Sequence, residues 1–561
     1  MKKVKRMQLT RRDFVKGGLT LGAITTTGGL AACSPPSPTT AEPSDEEAAV
    51  SDAIARTWET YPGDIDESRI TETIETDVVV IGLGASGSYV AASAIENDLR
   101  VIVLERNDQF NANGGSHFVF NSKPQRDLNK EVDAAVAVKD FLNVCANKVS
   151  ATNVWVWANR SGEAADWLAE MVEPYGLYPV LQHSDNEPIT PMYPGTIMFI
   201  GGENEPVDVS DNDPYNGDLG LNFVPERDLL GVLLEHIESK GADVRFGQKS
   251  ERIIKGDDGY ITGVIASDAN GNYTRYLASK GVVIASGGYD QDQDMHDYFC
   301  PTLSHNPNGA AVPLFNMGDG SGIKQALWVG GTMQANGDHP PMIFWGSTNC
   351  IKNLLVNKLG KRFSDENVTQ SNMAAAQLNQ PGGTIYGIWN EAYAEQLPAV
   401  SYRADDSSYT VSPEQMKSKW ATLVEAGLFI QTESIDEIAD KYGIPDDVLN
   451  ATVEAYNGFC TNGVDEEFRK DPTTLHELTG PFYATEYQSV ASLASMGGLH
   501  VNEKSQVLDA NDKPIDGLYA IGLAAGDFYA NQYTTRFAGN SLGRCLTFGY
   551  LLGRQIAGKE E

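Results

Sequence analysis

Three runs of apolar residues mark this chain as the carrier of a buried parallel sheet. Val78-Val79-Val80-Ile81 is the first, Val101-Ile102-Val103-Leu104 the second, and Val282-Val283-Ile284-Ala285 the third. Strands covered on both faces lose the polar–apolar alternation of a half-exposed sheet, so unbroken apolar runs predict a sheet sandwiched by helices. Between the first two lies Gly82-Leu83-Gly84-Ala85-Ser86-Gly87, which opens a helix of small residues and completes a βαβ unit over residues 74–106. Trp155, Trp157, Ala164, Trp167 and Leu168 recur at helical spacing and predict a core-facing stripe. Arg227 to Gly256 reads as helix then strand, and a β-ribbon follows with turns at Asp257-Asp258-Gly259 and Asn270-Gly271. From Gly337 to Gly480 the helices become more polar and buried parallel strands disappear. The strand pattern returns after Pro481, with Gly517 to Gly522 as a short strand and Gly539-Asn540-Ser541-Leu542-Gly543 opening the terminal helix. The expected fold is α/β: a discontinuous Rossmann-like domain (74–336 and 481–561) around an inserted α+β capping or substrate domain (337–480).

Strand, glycine loop, helix, second strand and acid, in that order, is the arrangement that binds a dinucleotide. Gly82 allows the tight turn, Gly84 lets backbone N–H groups approach a pyrophosphate, and Gly87 lets the helix lie close to the sheet. Ala85 and Ser86 fall at the helix N-terminus, where partial positive charge favours phosphate. Glu105 ends the second strand and is the acid expected to accept from adenosine ribose hydroxyls.

Charge narrows the class further. With 42 Lys and Arg against 76 Asp and Glu in 561 residues, the formal net charge is -34. Such a surface repels nucleic acid and anionic lipid, so neither is an expected partner. The N-terminus runs against this balance. Lys2, Lys3, Lys5 and Arg6 precede the twin-arginine pattern Thr10-Arg11-Arg12-Asp13-Phe14, and a weakly apolar run ends in Leu30-Ala31-Ala32-Cys33. Residues 1–32 are therefore expected to be a twin-arginine lipoprotein signal, Cys33 the lipidated new N-terminus, and residues 33–73 a flexible tether. Losing 1–32 removes seven basic and one acidic side chain and leaves -40. The expected location is extracytoplasmic, membrane-anchored by lipid alone, since no other run reaches the roughly 18–20 apolar residues of a span. Cys145, Cys300, Cys350, Cys460 and Cys545 form no CxxC or CxxCH pair, so buried thiols are expected and no metal, iron–sulfur or c-type haem site.

This layout resembles the fumarate reductase and succinate dehydrogenase flavoproteins. The likeness is to the soluble exported reductases that include urocanate reductase, with the 3-ketosteroid dehydrogenases as near relatives. Beyond the glycine loop it is carried by Gly114-Gly115-Ser116, Ser286-Gly287-Gly288-Tyr289, Gly318-Asp319-Gly320 and Gly360-Lys361-Arg362-Phe363. It continues through Ala455 to Phe459, Pro481 to Ala484, Met496-Gly497-Gly498 and Arg536 to Ser541, and covers 74–558. The resemblance implies an FAD-dependent oxidoreductase acting on CH–CH bonds. It places Glu105 on the adenosine ribose and Gly114, Gly115, Ser116, His117, Asp319, Ser541 and Leu542 about the flavin. Amides of Ser541 and Leu542, at a helix N-terminus, would face the flavin N1–C2 carbonyl.

At the substrate end the match departs from the family. His339, in His339-Pro340, and Arg536 fit positions that grip substrate carboxylates, but Leu493-Ala494-Ser495 replaces the family's second histidine before Met496. Gln370 stands where the family has its proton-delivering arginine, and the relay acids and bases are absent around Gly346 to Asn349. Glutamine has no proton to give at neutral pH, so fumarate is not the expected substrate. The expected reaction is reduction of another C=C bond conjugated to a carbonyl or carboxylate, in anaerobic respiration. Arg536 is expected on the substrate oxygen with His339 in support, and a phenol supplies the proton, Tyr533 ahead of Tyr529 and Tyr289. A 3-ketosteroid dehydrogenase or enone steroid reductase is one alternative, and a flavin electron carrier without its own substrate another. Electrons are expected from an external donor, a membrane quinol-linked cytochrome or flavoprotein.

Overall fold

The structure, a computed structural model, describes residues 56–181, 192–201, 224, 226–304, 312–313, 318–335, 339, 341–345, 353–396, 413–488 and 490–560. The expected signal, Cys33 and the segment Gly346 to Asn349 lie outside the described residues. The fold is mixed α/β. Its main sheet has eight strands, six of them in the order Gln506–Leu508, Pro514–Ala520, Tyr273–Ile284, Ile70–Ile81, Val101–Leu104, Asp243–Arg245. The inner four pair in parallel, with Val78 beside Val101 and Ile81 between Leu104 and Ile284. Val78 and Val80 pack into one hydrophobic cluster while Val79 and Ile81 pack into another on the opposite face. Both faces are dry, which is why the sequence shows no alternation there. The ribbon Lys249–Lys255 and Ile261–Ser267 leads antiparallel into Tyr273–Ile284.

The two ends of the chain meet in this unit. Helix Asn540–Ile556 lies along helix Ala85–Glu96 so closely that a Cβ on Gly549 would come within 2.6 Å of Tyr89 Cβ. One on Gly553 would come within 2.5 Å of Ser93 Oγ, and that hydroxyl donates to Tyr550 O at 2.6 Å.

A second, antiparallel sheet runs Leu354–Asn357, Ile385–Asn390, Phe482–Tyr487, Ile430–Thr432 and has a hydrophobic cluster of its own built on Trp389, Trp420, Tyr393 and Tyr456. Phe482–Tyr487, expected with the returning nucleotide domain, belongs here instead. Tyr483 stacks on Trp389 at 6.0 Å, so its aromatic face is satisfied only in this sheet. Residues 56–73, expected as part of the tether, are folded from Arg56 onward. Trp58 is buried, its carbonyl accepts from Trp328 Nε1 at 2.9 Å, and the first strand already pairs at Ile70. In helix Ala151–Val172 the expected stripe holds for Trp157, Ala164 and Leu168, whereas Trp155 points outward.

Arg362, in the Gly360-Lys361-Arg362-Phe363 turn, anchors this second body. Its guanidinium is buried and donates to both oxygens of Glu366 (3.0 and 2.8 Å) and of Asp465 (2.9 and 2.8 Å). Burial pushes the Asp465 pKa up, but the Arg362 and backbone N–H donors outweigh it and hold the carboxyl far below its usual range. A depressed carboxylate pKa stabilises the fold above the unfolded value and loses that contribution as pH falls through the folded one. Asp465→Asn should therefore cost about 3–5 kcal/mol at neutral pH. The gap to the parent should narrow below about pH 4, where the unfolded chain takes up its proton. Denaturant unfolding followed by fluorescence, to which Trp389 and Trp420 contribute, checks both.

Candidate active site

The glycine loop shows how one short segment makes room for a phosphate. Gly82 has φ +100°, and a Cβ there would sit 2.7 Å from Ala285 O; a Cβ at Gly87 would lie 2.0 Å from Gly82 O. Both positions are closed by packing. Gly84 is open: a Cβ there meets nothing nearer than Asn111 O at 3.8 Å. Gly84 is also the N-cap of helix Ala85–Glu96 and gives its first amides no side-chain acceptor. The amides at Ala85 and Ser86 thus belong to an uncapped, electropositive helix end facing open space, which fits a pyrophosphate. Ser86 is buried, with its Oγ against Gly522.

Glu105 ends the second strand as a buried carboxylate that accepts from Leu83 N at 3.0 Å and from Asn107 N and Nδ2 at 2.9 and 2.8 Å. These donors hold it beside the loop, where a ribose would lie. Asp319 comes to this same end. Its Oδ2 pairs with Arg106 at 2.6 Å, and its Oδ1 accepts from Ser321 N. Burial raises its pKa, yet the Ser321 bonds and the Arg106 charge prevail and the net shift is downward. Asp319 is thereby tied to Arg106, which follows Glu105 in the chain.

The expected flavin-lining residues meet at a second glycine seam. Gly114 (φ +89°) and Gly115 bring the chain onto Leu542, whose Cδ1 is 3.3 Å from where a Gly114 Cβ would be. Gly539 (φ +82°) lies against Ser116, a Cβ there being 2.2 Å from Ser116 O, and Phe118 N donates to Gly539 O at 3.0 Å. Ser116, Ser541 and Leu542 are thereby brought together. Asn540, fully buried, ties the turn by donating to Phe537 O (2.7 Å) and Thr534 O (3.0 Å) while accepting from Tyr529 OH (2.8 Å). Burial raises the pKa of the Tyr533 phenol, and the nearby backbone amides of Ser541 and Asn540 only partly counter it. His117 turns its ring into the core, where Nε2 lies 2.8 Å from Tyr89 OH and 3.1 Å from Glu226 Oε2. Nε2 thus belongs to that network, while Nδ1 is buried with no hydrogen-bond partner among the described residues.

His339 is fully buried and stacked on Phe299 at 4.7 Å, with Nδ1 2.6 Å from Tyr289 OH. The Gly497 turn has no room for a side chain here, since a Cβ would be 2.1 Å from His339 Cγ. Polar contacts run on from Tyr289 OH to Cys300 Sγ (3.7 Å), from Cys300 to Ser495 Oγ (3.5 Å) and from Ser495 Oγ to Asp290 Oδ1 (2.9 Å). Burial pushes the pKa of both Tyr289 and Asp290 up. Arg536 is held elsewhere: Nη1 pairs with Asp140 Oδ2 at 2.9 Å and the guanidinium lies over the Tyr193 ring, which itself stacks on Phe537. Gln370 opens helix Gln370–Leu378, capped by Thr369. The sequence reading missed Tyr89, Glu226, Asp290 and Asp140. The first two could have been found as polar residues interrupting otherwise apolar helix faces.

Residues 77–542 match the family described as FAD binding domain. A vinyl phenol reductase of Lactiplantibacillus plantarum is 24% identical over 514 residues, 86% of this chain and 96% of that protein. A fumarate reductase (cytochrome) of Shewanella frigidimarina is 24% identical over 502 residues, 86% of this chain and 77% of its own. Among solved structures, the 3-ketosteroid-Δ4-(5α)-dehydrogenase of Rhodococcus jostii RHA1 with 4-androstene-3,17-dione superposes with TM-score 0.66 at 21% identity, over 88% of this chain and 99% of that one. Its likeness shows the fold. The chain belongs to the FAD binding domain family and is an FAD-dependent oxidoreductase of the CH–CH class.

Proposed function

We propose that this protein is an exported, lipid-anchored reductase of a C=C bond conjugated to a carbonyl or carboxylate, other than fumarate. Held at the glycine loop and the seam and reduced by an external donor, FAD would supply the hydride for the substrate carbon. The residues about it do the rest. Gly84 and the amides of Ala85 and Ser86 hold the pyrophosphate, Glu105 the ribose, and Ser116, Ser541 and Leu542 the ring. The second body, with its own core, caps the site. Arg536 grips the substrate oxygen, exchanging Asp140 for it, and stabilises the charge that develops there. Tyr533, buried beside the Asn540 turn, keeps its own proton for donation to the α-carbon.

The observation that carries this reading is the seam itself. It sets a helix N-terminus, a buried phenol and, three residues on, an arginine in one short segment, Tyr533 to Leu542. Relatives on this fold are named for a vinyl phenol, for fumarate and for a ketosteroid, so the fold leaves the substrate open and the segment must choose it. A second reading is favoured by the Arg536–Asp140 pair. A neutralised arginine beside a phenol would suit a ketone oxygen, and the substrate would then be a steroid-like enone.

Gly84→Val should abolish retention of FAD, because the added side chain fills the only open face of the loop; flavin absorbance of the purified, folded protein measures it. Chemically reduced enzyme, kept anaerobic, should be reoxidised by α,β-unsaturated acids. Arg536→Ala should lower kcat/KM for them by about 10–100-fold, the worth of a charged hydrogen bond. Reoxidation by enone steroids alone would select the second reading, and silence toward both would reject the reductase assignment. Cys33→Ser should move the protein from the membrane to the soluble fraction of fractionated cells.

A further inference from the structure

Arg544 is the anomaly of the terminal helix. It is 5% exposed, yet among the described residues no carboxylate pairs with it. Its partners are the backbone carbonyl of Ala525 at 2.7 Å and, distantly, that of Gly526, and its guanidinium lies over the rings of Phe528 and Tyr529. Carbonyl dipoles and ring faces solvate a cation in part but cancel none of its charge, and a buried charge without a counter-ion is costly. Every other buried arginine or lysine among the described residues does have carboxylates: Arg362 has Glu366 and Asp465, and Lys470 has Glu366.

Arg544 lines a small cavity together with Asn153, Ser505, Phe528 and Phe548, behind the loop Gly522 to Gly526. One further donor on that wall is uncommitted: Ser505 is 4% exposed and its hydroxyl makes no hydrogen bond to any described residue. Asn153 is 2% exposed; its Nδ2 donates to Val501 O at 3.5 Å and its Oδ1 has no partner. One guanidinium and one hydroxyl converge on a space walled by two phenyl rings.

We propose that this cavity binds a small monovalent anion, of halide to formate size, as the counter-ion of Arg544. The site is separate from the FAD cradle: the Gly522–Gly526 loop stands between them, touching the anion on one side and Ser86 of the glycine loop on the other. Occupancy stabilises that loop and, through it, the folded holoenzyme.

The test uses the FAD-loaded protein. Crystals soaked in bromide should show an anomalous peak within hydrogen-bonding reach of Arg544 and Ser505. Replacing gluconate by chloride at constant ionic strength should raise the thermal midpoint saturably. Arg544→Gln should abolish that rise. Ser505→Ala, the milder variant should the first fail to fold, should weaken half-saturation by about 5-fold, the worth of one neutral hydrogen bond. A cavity holding water alone in the bromide crystals would overturn the proposal, as would a chloride response unchanged in either variant.

Discussion

Backbone-on-backbone contact between the two ends of the chain is the constraint on which the rest of the site depends. Gly539 and Gly543 lie so close to Ser116 and Phe118 that a Cβ on either would fall 2.2 and 1.9 Å from a carbonyl oxygen. Gly549 and Gly553 continue the same approach along the glycine-loop helix. No rotamer adjustment can relieve such distances, because the opposing atoms are main chain or the stems of buried side chains. Ser116, Ser541 and Leu542 are therefore placed by the backbone alone. A cofactor reaching from Gly84 to Leu542 would touch residues separated by most of the chain, so its site exists only once the terminal helix has been made and docked. An export route that carries folded proteins suits such a site, and the proposed location is consistent with that requirement.

Buried polar groups around the seam are handled by neutral partners more than by charge. Glu226 meets Tyr89 and His117, Asp290 meets Ser495, and Asn540 satisfies three groups of its own turn. Away from the cofactor the choice reverses, and Arg362 gathers two carboxylates in the core of the second body. Hydroxyls, phenols and amides reorient at little cost.

The main sheet was legible because its signals are local. Val78 to Ile81 and the glycines after them state their strand, turn and helix within a dozen residues, and Glu105 follows at a fixed distance. The places where the reading slipped are those where a partner distant in sequence decides. Phe482 to Tyr487 looked like the returning domain, but the Trp389 and Trp420 rings recruit it to the other sheet. Residues 56–73 have the composition of a tether, yet Trp58 finds a slot beside Trp328 and Phe299. His117 was read by adjacency to Ser116, but alternate residues of a strand face opposite ways.

In the proposed reaction, Gln370 has no proton to give and delivery falls to a buried acid of the seam. A general acid must hold its proton at working pH and give it up when charge develops on the substrate. Burial raises the Tyr533 pKa, which secures the first condition. In the proposed reaction the nearby amides of Asn540 and Ser541, which partly counter the rise, would serve the second. A phenol alone in an apolar pocket would keep its proton too well, and an exposed one would exchange it with water. Tyr533 has both the burial and the donors, three residues from the arginine proposed to hold the substrate oxygen. In the proposed reaction one segment, Tyr533 to Leu542, thus replaces a relay that the family distributes over another part of the chain.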